Sequence, residues 1–207
     1  KDQFVLPFQN KMIGLFLGDT DFPEIVLKKI KKLNKEYFII DFSKNNKFHK
    51  DKNSHRISIG KFGKIINLIK EKNCKKVLFA GKIAKPNFAS LRLDFKGIYY
   101  MPSVIRASKI GDAAIIKSII KILANEGIKV ISSIYFNPEL SLKKGNYTKT
   151  KPNKNDNNSI EKAKNYFNKI NSLDHIQALV VKNEKIIAKE GRQGTKKMLS
   201  KVKKNSQ

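Results

Sequence analysis

Short, dense apolar runs alternate along this chain with longer stretches in which apolar residues recur every three or four positions. The run "KMIGLFLG" (11–18) predicts a buried strand that ends at Gly18. "DTDFPEIVLKKIKKLNK" follows, with Asp21 placed as a cap, Pro23 in a first helical turn, and Ile25, Ile30 and Leu33 on one side of a helix. "EYFIIDF" is a second strand, and the polar residues 44–56 read as a loop. "RISIGKFGKIINLIKEKNC" predicts a short strand, a glycine-punctuated turn and a helix packed through Ile65, Leu68 and Ile69. "KKVLFAG" is a third core strand, ending at Gly81. Strands alternating with helices in this way build βαβ units, so the expected sheet is parallel and covered on both faces.

The second half is more broken. An irregular stretch is expected from Pro86 to Pro102, then a short helix in "SVIRASKI" and a clear one in "GDAAIIKSIIKILANEG", started by Asp112 and stopped by Gly127. "IKVISSIYF" reads as a strand. "KKGNYTKTKPNKNDNN" (143–158) is polar and turn-forming, hence a linker or loop. Beyond it the pattern predicts a helix ("SIEKAKNYFNKINSL"), a hairpin turning around Asn183 and a last helix ("GTKKMLSKVKK"). The fold class is therefore α/β: a Rossmann-like parallel sheet domain over 11–136 and the start of a smaller, incomplete α/β domain over 159–207.

Composition changes this picture in two places. The 207 residues carry a formal charge of +27, which raises nucleic acid or an anionic membrane as partners. Lysine supplies 40 of the 44 basic residues, however, and phosphate and base readers lean on the planar fork of arginine. Lys, Ile and Asn all have A/T-rich codons, so base composition accounts for much of the lysine, and a specific nucleic-acid partner is not expected. The single cysteine, Cys74, excludes an internal disulfide framework and makes a reducing compartment the default. No run approaches the roughly 20 apolar residues of a spanning helix. A cytoplasmic protein is expected, with transient docking on an anionic membrane surface open to it through its positive field.

The candidate chemistry lies at strand ends. In open parallel sheets, ligands sit outside the carboxyl ends of strands, where Gly18 and Gly81 both fall. Glycine there lets backbone approach a ligand, and the ammonium groups of Lys82 and Lys85 add charge for a phosphate. "FAGKIAKP" is not a Walker loop, and "GLFLGD" lacks the third glycine of a dinucleotide fingerprint. "KIGDAA" puts Asp112 at a helix start, where it caps the helix or holds a divalent cation or a water. "KEGRQGTKK" places Glu190 at a strand end and Gly194-Thr195 at a helix start. His49, His55 and His175 are scattered without metal-ligand spacing, and none is assigned a catalytic role.

Taken in order, "IGKFGKIINLIKE", "VLFAGKIAKPNF", "MPSVIRASKIGDAAIIKSI", "ANEGIKVI" and "VVKNEKIIAKEGRQGTKKML" resemble the LpxI-type UDP-2,3-diacylglucosamine pyrophosphatases of lipid A biosynthesis. The resemblance runs from about Lys11 to Val202. The family's Ala-Gly followed by Arg-Pro is echoed by Ala80-Gly81 and Lys85-Pro86. Its Arg-x-Gly-Asp-Asp is matched by Lys109, Gly111, Asp112 and Ala113. Its Glu-Gly and Glu-Gly-Thr-Asp are matched by Glu190-Gly191 and by Gln193-Gly194-Thr195-Lys196.

The resemblance implies a two-domain hydrolase that releases UMP and 2,3-diacylglucosamine 1-phosphate from a lipid-linked nucleotide sugar, using a divalent metal, Mg²⁺, at the inner face of the inner membrane. On that basis Asp112 and Glu190 are the catalytic and metal-ligand candidates. Gly18, Gly81, Lys82, Lys85, Lys109, Gly194 and Thr195 are the substrate-binding candidates. The oligomeric state is left open, a homo-oligomer included. The departures are Ala113, Gln193 and Lys196 in place of three carboxylates, a first loop that reads Gly18-Asp19-Thr20-Asp21, and no counterpart to a further acidic segment that family members carry after this point. The alternative reading is a catalytically impaired nucleotide-sugar or anion-binding module of the same fold. A nucleic-acid binder, whose affinity would fall steeply with salt, ranks last.

Overall fold

The computed structural model describes residues 12–143, 145–170, 176–191 and 193–204, with Lys203 and Lys204 as backbone only. Lys11, residues 171–175 and Arg192, on which parts of the reading above fall, lie outside the described residues. The chain divides into two compact units. The first comprises 1–105 with 117–142, the second 106–116 with 143–207.

The first unit is built on a five-stranded sheet in the order β3-β2-β1-β4-β5, every pair parallel. Its strands are β1 (Ile13–Leu17), β2 (Tyr37–Asp41), β3 (Ser54–His55), β4 (Lys76–Ala80) and β5 (Lys129–Ile131). β1 is central, with Leu15 aligned to Ile39 on one side and Leu78 on the other. Alternation along the strands splits the core into two layers. Leu15, Leu17, Ile39 and Leu78 pack with Val26 and Ile30 of α1 (Phe22–Lys32). Phe16, Phe38, Ile40 and Val77 pack with Ile65, Ile66 and Ile69 of α2 (Phe62–Glu71) and with Leu123 of α4 (Asp112–Asn125). Both faces are covered, which is why these strands are almost wholly apolar.

The structure departs from the sequence reading at several elements. The buried face of α1 is Val26, Leu27 and Ile30 rather than Ile25 and Leu33, which are 45% and 42% exposed. Asp21 stands at the N-cap of α1, but its side chain makes no capping bond. The short strand beside β2 is Ser54–His55, inside the expected loop, and β5 ends at Ile131 because a 3₁₀ turn begins at Ser133. Helix α3 (Phe95–Ile110) begins well before Pro102 and runs through it.

One carboxylate sets that early start. Asp94 Oδ1 accepts from the amide of Gly97 (2.8 Å) in the first turn of α3 and from Gly63 (3.1 Å) in the first turn of α2. Its Oδ2 accepts from Lys64 (3.0 Å). Burial alone would raise this carboxyl's pKa. The amides of Gly63, Gly97 and Lys64 outweigh it and hold the pKa below the usual aspartate value.

In the second unit, β6 (Leu179–Lys182) and β7 (Lys185–Lys189) form an antiparallel hairpin. Asn183 and Glu184 turn it with φ of 47° and 61°, the left-handed pair that a two-residue hairpin requires. α6 (Gly194–Lys204) follows, within the residues expected. The helix before the hairpin, α5 (Lys154–Lys169), starts inside the 143–158 stretch expected to be a linker or loop. Asn153 and Asp156 form a capping box, each side chain accepting the other's backbone N–H at 2.9 Å.

Candidate functional site

The carboxyl ends of β1 and β4 are tied to each other. The Gly18 amide donates to Ala80 O (2.9 Å), and Asp19 and Lys82 exchange both backbone hydrogen bonds (2.8 and 3.0 Å) as an isolated antiparallel bridge. A Cβ at Gly18 would strike the carbonyl of Lys82. A Cβ at Gly81 would strike Asp19 O and the Pro23 ring, and Gly81 also holds φ at +84°. The two glycines therefore permit a close backbone crossing at the strand tips, and buried Gly18 spends its N–H on the sheet. Gly81, Lys82 and Lys85 are exposed just beyond.

The crossing continues into a rim that sequence reasoning missed. Asp19 Oδ1 accepts the amide of Lys44 (3.1 Å). Thr20 holds φ at +85°, a costly conformation for a β-branched residue. The Lys47 ammonium reaches over it, donating to Thr20 O (3.0 Å) and pairing with Glu24 Oε1 (2.7 Å). Glu24, followed by Asp21 and Asp19, pushes the pKa of Lys47 up. Asp41, fully buried at the end of β2, accepts from Ser43 N (2.8 Å), Ser43 Oγ (2.6 Å) and Phe48 N (3.0 Å). Arg56 Nη1 donates to Asp41 O (3.0 Å), and to Ser43 O as well. A charged residue closing the apolar run "YFIID" was the available signal for this network.

The remaining candidates belong to the second unit. Lys109 in the last turn of α3 and Asp112 at the first position of α4 flank the α3–α4 turn, both exposed. Glu190 follows β7. Its Oε1 accepts from Thr195 Oγ1 (2.6 Å) and its Oε2 from Gln177 N (2.7 Å). The Thr195 hydroxyl first, then the Gln177 amide, holds the Glu190 pKa below the usual glutamate value. Gly194 opens α6 and donates to Gly191 O (2.9 Å). The structure thus joins Gly18, Gly81 and Lys82 in one backbone crossing, and Glu190 to Thr195 in another cluster. The two groups lie in different units.

Among the described residues, no three His, Cys, Asp or Glu side chains converge as a metal cage. Mg²⁺ characteristically takes only one or two protein carboxylates and completes its shell with water and substrate phosphate, so a single carboxylate such as exposed Asp112 or anionic Glu190 is chemically a suitable first donor. Among the described residues no helix is long and apolar enough to cross a membrane.

Residues 12–140 match the family model described as the LpxI N-terminal domain, and residues 143–207 match the LpxI C-terminal domain. The protein described as UDP-2,3-diacylglucosamine pyrophosphatase LpxI in Caulobacter vibrioides is 32% identical over 146 residues, covering 70% of this chain and 52% of that protein. The matched part of the chain thus spans about half the length of that relative.

Proposed function

We propose, from the premise that this chain belongs to the LpxI family, that it takes part in hydrolysing the pyrophosphate of UDP-2,3-diacylglucosamine during lipid A synthesis. Water adds across one P–O bond of the anhydride and yields UMP and 2,3-diacylglucosamine 1-phosphate. The observation that carries the reading is the crossing at the tips of β1 and β4, with Gly81, Lys82 and Lys85 exposed at the switch point of a parallel sheet.

Lys82, Lys85 and Lys109 are assigned to the phosphate oxygens, whose charge a low-dielectric, cationic setting stabilises most as the leaving group departs. Exposed Gly81 keeps its strand tip free of a side chain so that the substrate's diphosphate can lie against it, and buried Gly18 allows the close crossing that holds Gly81 and Lys82 there. Glu190, kept anionic and oriented by Thr195 and Gln177, holds a proton-accepting oxygen at the start of α6. Asp112 and Glu190 are the residues that would hold a divalent metal such as Mg²⁺, which would supply Lewis-acid polarisation of the phosphate. The substrate's two acyl chains place the encounter at the anionic cytoplasmic leaflet, where the positive chain is attracted.

The test is UMP release from the lipid nucleotide, measured with and without Mg²⁺ and with Asp112→Asn and Glu190→Gln. Metal-dependent UMP release that both variants lose is the expected result. Binding of UDP-sugar with no UMP under any metal would replace the enzyme with a binding module.

A further inference from the structure

Helix α3 turns a hydrophobic face to solvent. Phe95 is 93% exposed, Tyr99 77% and Ile98 61%. With Pro102, also exposed, they fall at i, i+3, i+4 and i+7, one narrow stripe of the helix. The opposite stripe, Gly97, Met101 and Val104, is buried. An exposed aromatic of this degree is uncommon on a soluble surface, and three large apolar side chains together mark an interaction site.

The stripe is held rigidly. Asp94 fixes the start of α3 through the Gly97 amide. Tyr100 anchors the next turn, donating its hydroxyl to Glu126 (2.9 Å) and packing 6.1 Å from the Phe62 ring. Tyr99 rests edge-on against Tyr100, with ring centroids 4.9 Å apart.

The exposed charge around the stripe is basic, since Glu126, which meets α3 at Lys96 and Tyr100, is largely buried and paired with Lys96 and Lys70. From Phe95 to Gly111 the sequence contains no acidic residue. The nearest carboxylate in sequence, Asp94, is committed to three backbone amides. Exposed Arg92 and Lys64 lie beside it, and Lys61 donates to Leu93 O (3.4 Å). A second copy would bring another +27 against this surface, which disfavours self-association. An anionic bilayer complements it in both respects, with aromatic rings at headgroup depth and cations against phosphate.

We infer that the Phe95–Ile98–Tyr99 face of α3 is the surface by which this protein docks on anionic membranes. The proposal deepens the lipid-substrate reading, which supplies its purpose, but docking is measured without substrate. The chain contains no tryptophan, so Phe95→Trp gives a fluorophore at one site. Vesicles of phosphatidylglycerol with phosphatidylethanolamine should shift its emission to the blue, and brominated lipids should quench it. Phosphatidylcholine vesicles should do neither. The double variant Phe95→Ser/Tyr99→Ser should lose at least about tenfold in vesicle partitioning, with its thermal unfolding unchanged.

Unshifted indole emission from the Phe95→Trp protein, on vesicles that do sediment it, would overturn the inference, because docking would then run through other lysines. So would equal partitioning of the double variant and the wild type. A wild-type dimer that the double variant dissolves would give the face to a second copy instead. Vesicle docking without UMP release leaves this inference standing and removes the enzyme reading. UMP release from detergent-dispersed substrate with no docking does the reverse.

Discussion

Replacing Asp94 by alanine removes one carboxylate from two helix starts at once. The amides of Gly63 and Lys64 in α2 and of Gly97 in α3 would all lose their acceptor. A lost N-cap costs about 1 kcal/mol, with a range of roughly 0.5–2. Two caps therefore put the cost of Asp94→Ala at about 2–3 kcal/mol, partly offset where water reaches the freed amides. For a chain of this size roughly 3 °C of midpoint follows each kcal/mol, so thermal unfolding should fall by about 6–9 °C.

The pH dependence carries the sign. The folded pKa of Asp94 is depressed, so its contribution is present above the unfolded value of 3.8 and disappears as pH falls through the lower folded value. Urea unfolding of both proteins at neutral pH and at successively lower pH should show a gap that is wide at neutrality and closes in acid. A neutral-pH loss below about 0.5 kcal/mol, or a gap that persists unchanged in acid, would refute the double-cap argument.

Other substitutions probe the remaining elements. Gly81→Ala should destabilise the protein by at least about 1 kcal/mol and abolish UDP binding by calorimetry, because its Cβ meets Asp19 O and its φ is left-handed. Glu126 accepts from Lys96, Lys70 and the Tyr100 hydroxyl, and its pKa is lowered to about 2. Glu126→Gln should cost about 1–2 kcal/mol in denaturant unfolding at neutral pH, a difference that fades as the pH is taken below the ordinary glutamate value of 4.5 toward 2. Thr195→Val takes away the hydroxyl that most favours ionised Glu190, so the acidic limb of the UMP-release profile should move to higher pH. Thr195→Ser should restore it.

The parts of the fold legible in the sequence were those that a single period specifies. β1, β2 and β4 are apolar almost throughout because both faces of the sheet are covered, and the hairpin at Asn183 was marked by its turn residues. What was not legible depended on contacts from far along the chain. Pro102 read as the end of an irregular stretch, yet α3 passes through it, with Asp94's cap and the buried Met101 and Val104 outweighing about 3 kcal/mol for a helix-interior proline. Ile25 and Leu33 fit an apolar stripe on α1, but Val26 and Ile30 are the residues that meet Leu15 and Ile39. At the site, Gly18, Gly81 and Lys82 could be placed from strand ends alone. Lys47 and Arg56 could not, because the sequence says nothing of which backbone carbonyls a loop will present to them.

Thr20 sits in a backbone region that its branched side chain resists, and the Lys47 ammonium grips its carbonyl. The loop between β1 and α1 is therefore a cocked element, its strained residue latched by one ammonium while the neighbouring Asp19 is tied to Lys82 and Lys44. Thr20→Gly would relieve the tension by roughly 1 kcal/mol, yielding a sturdier protein in which residue 20 no longer needs the Lys47 ammonium to stay in place.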